Sequence, residues 1–169
     1  MKQAKTAVVF DKDSTLFNTF QRWHLSPMRD PSSSWEKYSQ ACMDDEPIPG
    51  TIRAAELHWP HHQIHICTGA STEAEHMARE QLALHGVRFD FLRMKAPEDT
   101  RPNEEYKIAY VLGLRAAGID VVLFYEDWGP AAIAIQERTG VPVVGVNPFY
   151  PEDMTRFQQS VADGIGGGL

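Results

Sequence analysis

The chain has 169 residues, 43% of them hydrophobic and 23% charged, with a formal net charge of −7 at pH 7. That length and balance fit one globular domain with a full core over residues 1–169, and the acidic charge, with no block of consecutive basic residues, argues against tight non-specific binding along a nucleic-acid backbone. No apolar stretch approaches a membrane span and "MKQAKTAVVF" lacks a signal-peptide core, so the expected location is the cytoplasm, away from membranes; Cys42 and Cys67 are too few for a disulfide framework and read as reduced structural thiols.

Along the chain, the first element is a short central strand, Val8, Val9 and Phe10 in "VVFDKDSTLFNT". Asp11 and Asp13 follow where the apolar run stops. Side chains at i and i+2 of an extended segment share a face, so the two carboxylates stand together. Like charges held together are costly unless a cation or proton lies between them.

A regular alternation follows. Strands are expected at 63–68, 89–94, 121–127 and 141–146, and helices at roughly 51–58, 72–85, 103–117 and 130–139. Thr72 with Glu75 fits a capping box, Asn103 a helix cap and Pro130 a first helical turn. Gly86, Gly118 and Gly140 stand where left-handed helix ends are expected. The His58, His61, His62 and His65 cluster straddles a turn and a strand, and reads as a solvated turn rather than a metal site. The tail "DGIGGGL", residues 163–169, reads as a mobile terminus.

Strand and helix alternating in this way predict an α/β fold, a parallel sheet with helices on both faces. Such sheets bind ligands beyond the carboxyl ends of their strands. Asp11, Asp13, Thr68, Glu126, Asp127 and Lys107 all fall near that edge. The acids suit a hard divalent cation such as Mg2+, which prefers oxygen ligands. Taken singly, each of these residues except the Asp11 and Asp13 pair would pass for a solvated strand end or a surface helix residue. Together they point to phosphoryl transfer.

"DKDSTL" resembles the first motif of the haloacid dehalogenase (HAD) superfamily, Asp-x-Asp-x-Thr followed by an apolar residue. "HICTGAS" is similar to its second motif, Lys107 in "NEEYKIAYVL" to its third and "LFYEDWGPA" to its fourth. The resemblance covers roughly residues 6–150. Within the superfamily the likeness is closest to the 3′-phosphatase domain of phage-type polynucleotide kinases. It rests on "RMKAPEDTRPNEEYK", with Asp99, Thr100 and Arg101 matching an Asp-Thr-Arg core, on Arg22, eleven residues after Asp11, and on "WEKYSQACMDDEPIPG". No Gly-x-x-x-x-Gly-Lys-Ser/Thr loop is found, so no kinase half is expected. Four positions depart from the group: Ser14 replaces a glycine, which requires the backbone there to stay at negative φ. Ala70 replaces an arginine, Asn103 a carboxylate that orients the lysine, and Glu126 the first aspartate of the acidic pair.

The resemblance implies a HAD-like Rossmannoid three-layer sandwich with a five-stranded parallel sheet and only a small cap segment, about residues 17–50. It implies Asp11 as nucleophile, Asp13 as general acid and base, and Thr68, Lys107 and the Gly69 amide as phosphate-binding groups. The implied ligands of Mg2+ are Asp11, Asp13 through its carbonyl, Asp127 and Glu126, and Arg22 contacts substrate. The expected activity is a phosphomonoesterase acting on a DNA or RNA 3′-phosphate end or on a nucleotide. The alternatives are a phosphatase of 5′-nucleotides or other small metabolites, and an idle binding module that keeps the fold. Trp23, Trp35 and Tyr38 either stack on a base or cover the core beneath the cap, the latter being the stronger reading.

Overall fold

The segment KTAVVF forms β1 (Lys5–Phe10), and it occupies the middle of the molecule because its last four residues are apolar and fully buried on both faces. In the computed structural model, which describes residues 5–146, β1 is central among five parallel strands. The others in chain order are β4 (Gln63–Ser71), β5 (Phe91–Lys95), β6 (Ile119–Glu126) and β7 (Val143–Gly145), and the spatial order is β5–β4–β1–β6–β7. Val8 lies opposite Ile64 of β4 and Leu123 of β6, which fixes the register of the three strands that carry the site.

Alternation along β1 divides the core in two. Val8 and Phe10 face a layer that includes α2 (Pro49–His58) and α3 (Glu75–Leu84), packing with Ala55, Ile66 and Leu82. Val9 faces α4 (Asn103–Ala116) and α5 (Gly129–Thr139), packing with Ile108, Val111 and Ile135. The result is the expected three-layer sandwich. Between β1 and α2 the chain forms two short antiparallel strands, β2 (Phe17–Asn18) and β3 (Glu46–Pro47). They enclose a 3-10 turn over Phe20–Leu25 and the helix α1 (Trp35–Gln40), capped by Ser34 accepting from the Lys37 amide. These elements lie within the expected cap segment.

Local expectations fare unevenly. Gly86, Gly118 and Gly140 all have positive φ, and Pro130 lies in the first turn of α5. The Thr72 and Glu75 box does not form. Residues Thr72–Ala74 make a 3-10 turn capped by Ser71, and α3 starts at Glu75. Asn103 is the first residue of α4, not its cap. Ser14 has φ +62°, not the negative value the sequence reading required. The tight turn after Asp13 imposes this conformation, with the Ser14 amide donating to the Phe17 carbonyl at 2.7 Å and the Ser14 and Thr19 hydroxyls bonded at 2.7 Å. Of the four histidines, His58, His61 and His62 stay neighbours, with ring centres 5.7 Å apart for His58 and His62 and 6.4 Å for His61 and His62, while His62 bonds Thr6, His58 bonds Tyr125 and His65 bonds Tyr110. Cys42 and Cys67 are buried free thiols. No helix among the described residues is long and apolar enough to cross a membrane, and the 163–169 tail lies outside them.

Candidate active site

At the carboxyl ends of β1, β4 and β6 opens a cavity of about 570 Å³ whose lining includes Asp11, Asp13, Thr68, Gly69, Lys107 and Asp127. Asp11 follows β1 directly, and its amide extends the ladder by donating to the Tyr125 carbonyl at 2.9 Å. The Lys107 ammonium, delivered by the second turn of α4, lies 3.2 Å from Asp11 Oδ1 and 2.6 Å from Glu126 Oε2. Burial alone would lower the Lys107 pKa, but the two carboxylates outweigh it and hold the ammonium well above its ordinary value. Burial raises both Asp11 and Glu126, against the pull of Lys107.

Glu126 answers two of the sequence departures at once. Its longer side chain reaches Lys107, supplying the carboxylate that Asn103 cannot, while its other oxygen accepts from the Trp128 amide at 3.2 Å. Asn103 instead packs on Gly69, where a Cβ would stand 2.4 Å from its Oδ1, so glycine there permits the close approach of α4 to β4. Thr68 Oγ1 accepts from the Ala70 amide at 3.1 Å, which leaves its hydroxyl proton available to donate. Asp127 Oδ1 accepts from Thr15 Oγ1 at 3.1 Å.

One carboxylate oxygen each from Asp11, Glu126 and Asp127 lies within 4.8 Å of the others. Three oxygen donors against one ammonium fit a hard divalent cation. The Asp13 carboxylate is not part of this group. It turns to cations, with Oδ1 at 2.8 Å from both Lys12 Nζ and Arg22 Nη2. Burial opposes the charge on Asp13, but Arg22 and Lys12 outweigh it and hold the carboxyl well below its usual range.

Arg22 does not line the cavity; it is buried behind Asp13. Its Nε contacts both oxygens of Asp45 at 2.9 Å, its Nη1 donates to the Tyr38 carbonyl at 2.6 Å, and its guanidinium lies 4.1 Å from the Tyr38 ring centre. Sequence reasoning treated Arg22 as an exposed cation and did not single out Lys12 or Asp45. A lysine between two aspartates was the one available signal, since Lys12 is surrounded in sequence by residues the strand pattern buries. All three aromatic residues weighed for stacking line the cavity; Trp23 and Tyr38 are buried, whereas Trp35 has 52% of its surface exposed.

A five-stranded parallel sheet in this order, between two helical layers, is the HAD-like Rossmann-type fold, and this chain has it. No protein-family model matches the sequence, and no curated protein matches it. Similarity to solved structures is extensive. A chain of the Pnkp1/Rnl/Hen1 RNA repair complex superposes with a TM-score of 0.70 at 18% identity, covering 90% of this chain and 45% of that one. The protein thus spans less than half the length of that relative. A haloacid dehalogenase-like hydrolase from Streptococcus pneumoniae gives a TM-score of 0.60 at 14% identity, covering 92% of this chain and 91% of that one. A HAD-superfamily hydrolase of subfamily IA from Geobacter sulfurreducens gives 0.59 at 18%, covering 95% and 99%.

Proposed function

We propose that the protein is a magnesium-dependent phosphomonoesterase that acts through a phospho-aspartate, on nucleic-acid 3′-phosphate ends or on nucleotides. The observation that carries the chemistry is Asp11 on the cavity lining, 3.2 Å from a buried lysine and grouped with Glu126 and Asp127. Asp11 attacks phosphorus, forming an Oδ–P bond as the ester P–O bond breaks. The negative charge of the incoming phosphate offsets Arg22 and Lys12, so that Asp13 takes up a proton from solvent and gives it to the departing alkoxide. Water then attacks the acyl phosphate, passing its proton to Asp13 and releasing inorganic phosphate as the Oδ–P bond opens. Thr68, the Gly69 amide and Lys107 stabilise the phosphoryl oxygens. Mg2+ held by Asp11, Asp127 and the Asp13 carbonyl would lessen the repulsion between nucleophile and phosphate. Glu126, whose carboxylate is grouped with those of Asp11 and Asp127, would hold the cation directly or through a water.

For the substrate, the likeness to a chain of an RNA repair complex supports a nucleic-acid end, and Trp35 offers a flat apolar wall for a terminal base. A second reading, a 5′-nucleotide or other small phosphorylated metabolite, is favoured by the charge of the upper walls. The cavity lining includes Lys95 and Arg101 but also Glu36, Glu73, Asp99 and Glu104, and Arg101 is paired with Asp99 at 2.9 Å. A panel of 3′- and 5′-phosphorylated oligonucleotides, mononucleotides and a chromogenic ester tests both. Preference for 3′-phosphates supports the first reading, preference for 5′-nucleotides the second, and no release of phosphate from any ester leaves a binding module with this fold.

A further inference from the structure

A second cavity, of about 360 Å³, lies along the seam between α4 and β5, the edge strand of the sheet. Alternation along β5 sends Met94 into the core with Ala74 and Ala78, and Arg93 to the other face. There Arg93 lines the cavity with Tyr106, Tyr110 and Gly113, which the helical period sets in one stripe of α4. Arg101, from the turn before α4, completes the wall. Arg101 also lines the catalytic cavity, so the two cavities share a side chain.

The charge of this wall has one sign. In a chain of net charge −7, the lining holds two arginines and, among the described residues, no carboxylate. Both guanidinium groups lie by one ring, that of Arg93 at 5.9 Å and that of Arg101 at 5.5 Å from the centre of Tyr106. Arg93 has no ion pair among the described residues. Arg101 engages Asp99 through Nε and Nη2, which leaves Nη1. Tyr106, 2% exposed, carries a hydroxyl that makes no hydrogen bond. Attraction to the ring accounts for one cation there, but a second beside it, on an acid-free wall, suits an anion. We propose that this cavity is a second phosphate subsite, in which Arg93 and Arg101 hold a phosphodiester of the strand whose 3′-phosphate occupies the catalytic cavity. Two arginine forks in a cleft give a hold on a polymer end that the acidic surface as a whole does not. The subsite rests on the nucleic-acid reading above.

Binding without turnover tests this directly. A fluorescent oligonucleotide ending in a 3′-hydroxyl, the product of the proposed reaction, is titrated by anisotropy with the parent protein and with Arg93→Gln over a range of salt concentrations. Arg93→Gln should raise Kd about ten-fold and reduce the slope of log Kd against log salt by about 0.7, the share of one phosphate contact on a single strand. Its kcat/KM for p-nitrophenyl phosphate should match the parent's. Arg93→Lys keeps the charge without the fork, and should restore the slope with part of the affinity. Unchanged affinity and slope in Arg93→Gln would overturn the subsite, reduce the two arginines to a cover for Tyr106 and leave the phosphatase reading intact. A free anion as occupant would show as inorganic phosphate raising the Tm of the parent but not of Arg93→Gln, while oligonucleotide binding ignores the substitution, and would overturn the strand assignment. A parent that cleaves small esters but does not bind the oligonucleotide would remove the nucleic-acid reading and this subsite together.

Discussion

Asp11 combines features that conflict in an ordinary folded protein. It is buried, it lies beside other acids, and its charge is offset in the protein itself by Lys107 at 3.2 Å. A nucleophile needs that charge and folding does not. Asp11→Asn should therefore abolish turnover while leaving the thermal transition in metal-free buffer unchanged or slightly raised, because Lys107 keeps Glu126 as a partner. Steady-state assays with a melting curve check this, and near-native turnover would remove the nucleophile assignment. Ser14 stores a smaller conflict. Its left-handed backbone costs about 1–2 kcal/mol, and its buried bond to Thr19 returns about 0.5–1.5 kcal/mol. Ser14→Gly relieves the first and loses the second, so its stability should stay close to that of the parent. Ser14→Ala keeps the strain and loses the bond as well, and urea denaturation should find it the weaker of the two by about 1–2 kcal/mol, the cost of the left-handed backbone.

The cap segment joins the floor of the cavity to the rest of the fold through Arg22. Removing one member of a buried ion pair costs about 3–5 kcal/mol because a charge is stranded. Arg22→Ala strands Asp45 and leaves Asp13 with Lys12 alone, so it should lower stability and depress cleavage of oligonucleotide and small chromogenic esters alike. Helix α1 presents the contrasting case. Trp35 is half exposed on it and touches Tyr38 edge-on, with ring centres 5.6 Å apart. Trp35→Ala should shift stability by no more than about 0.5 kcal/mol. Loss of a stacked base worth about 1–3 kcal/mol should raise KM for nucleotides roughly five- to a hundred-fold and leave KM for glycerol phosphate unchanged. Parallel kinetics on those two substrates decide it.

Across the molecule, protons and magnesium should compete for the same acids. Burial holds Asp11 and Glu126 above their ordinary values, and it pushes Asp45 up to about 6 although Arg22 pulls it down. A carboxyl raised in the folded state favours folding when protonated. Its contribution is full below about pH 4 and is lost as pH rises through the folded value. His58 and His65, lowered by burial, work in the opposite direction up to about pH 6.5. The difference in Tm with and without magnesium cancels the histidines and isolates the acids that bind the cation. That difference should be larger at pH 8 than at pH 5.5, since protons compete less for acids whose pKa burial has raised. An equal gain at both values would contradict a site built on Asp11. Chelation should silence turnover and magnesium restore it, while calcium, with its looser coordination, should bind and support little activity.

Much of this architecture is written locally. Strands buried on both faces need nearly unbroken apolar runs, so β1, β4 and β6 stand out in the sequence, and the acids that follow β1 and close β6, with Thr68 of β4, mark the edge where the candidate site lies. The left-handed glycines after α3, α4 and α5 are local as well. Helix α1, with six residues, is too short to carry a periodic signal and depends on packing for its existence. The direction of the charged side chains is equally non-local. Arg22 meets Asp45 across 23 residues, Lys107 meets Glu126 across 19, and Thr15 meets Asp127 across 112. Residue types and spacing showed which groups the site could draw on. Which oxygen each cation took, and that Arg22 turned inward while Trp35 stayed in the open, followed from buried charges finding their partners as distant segments packed together.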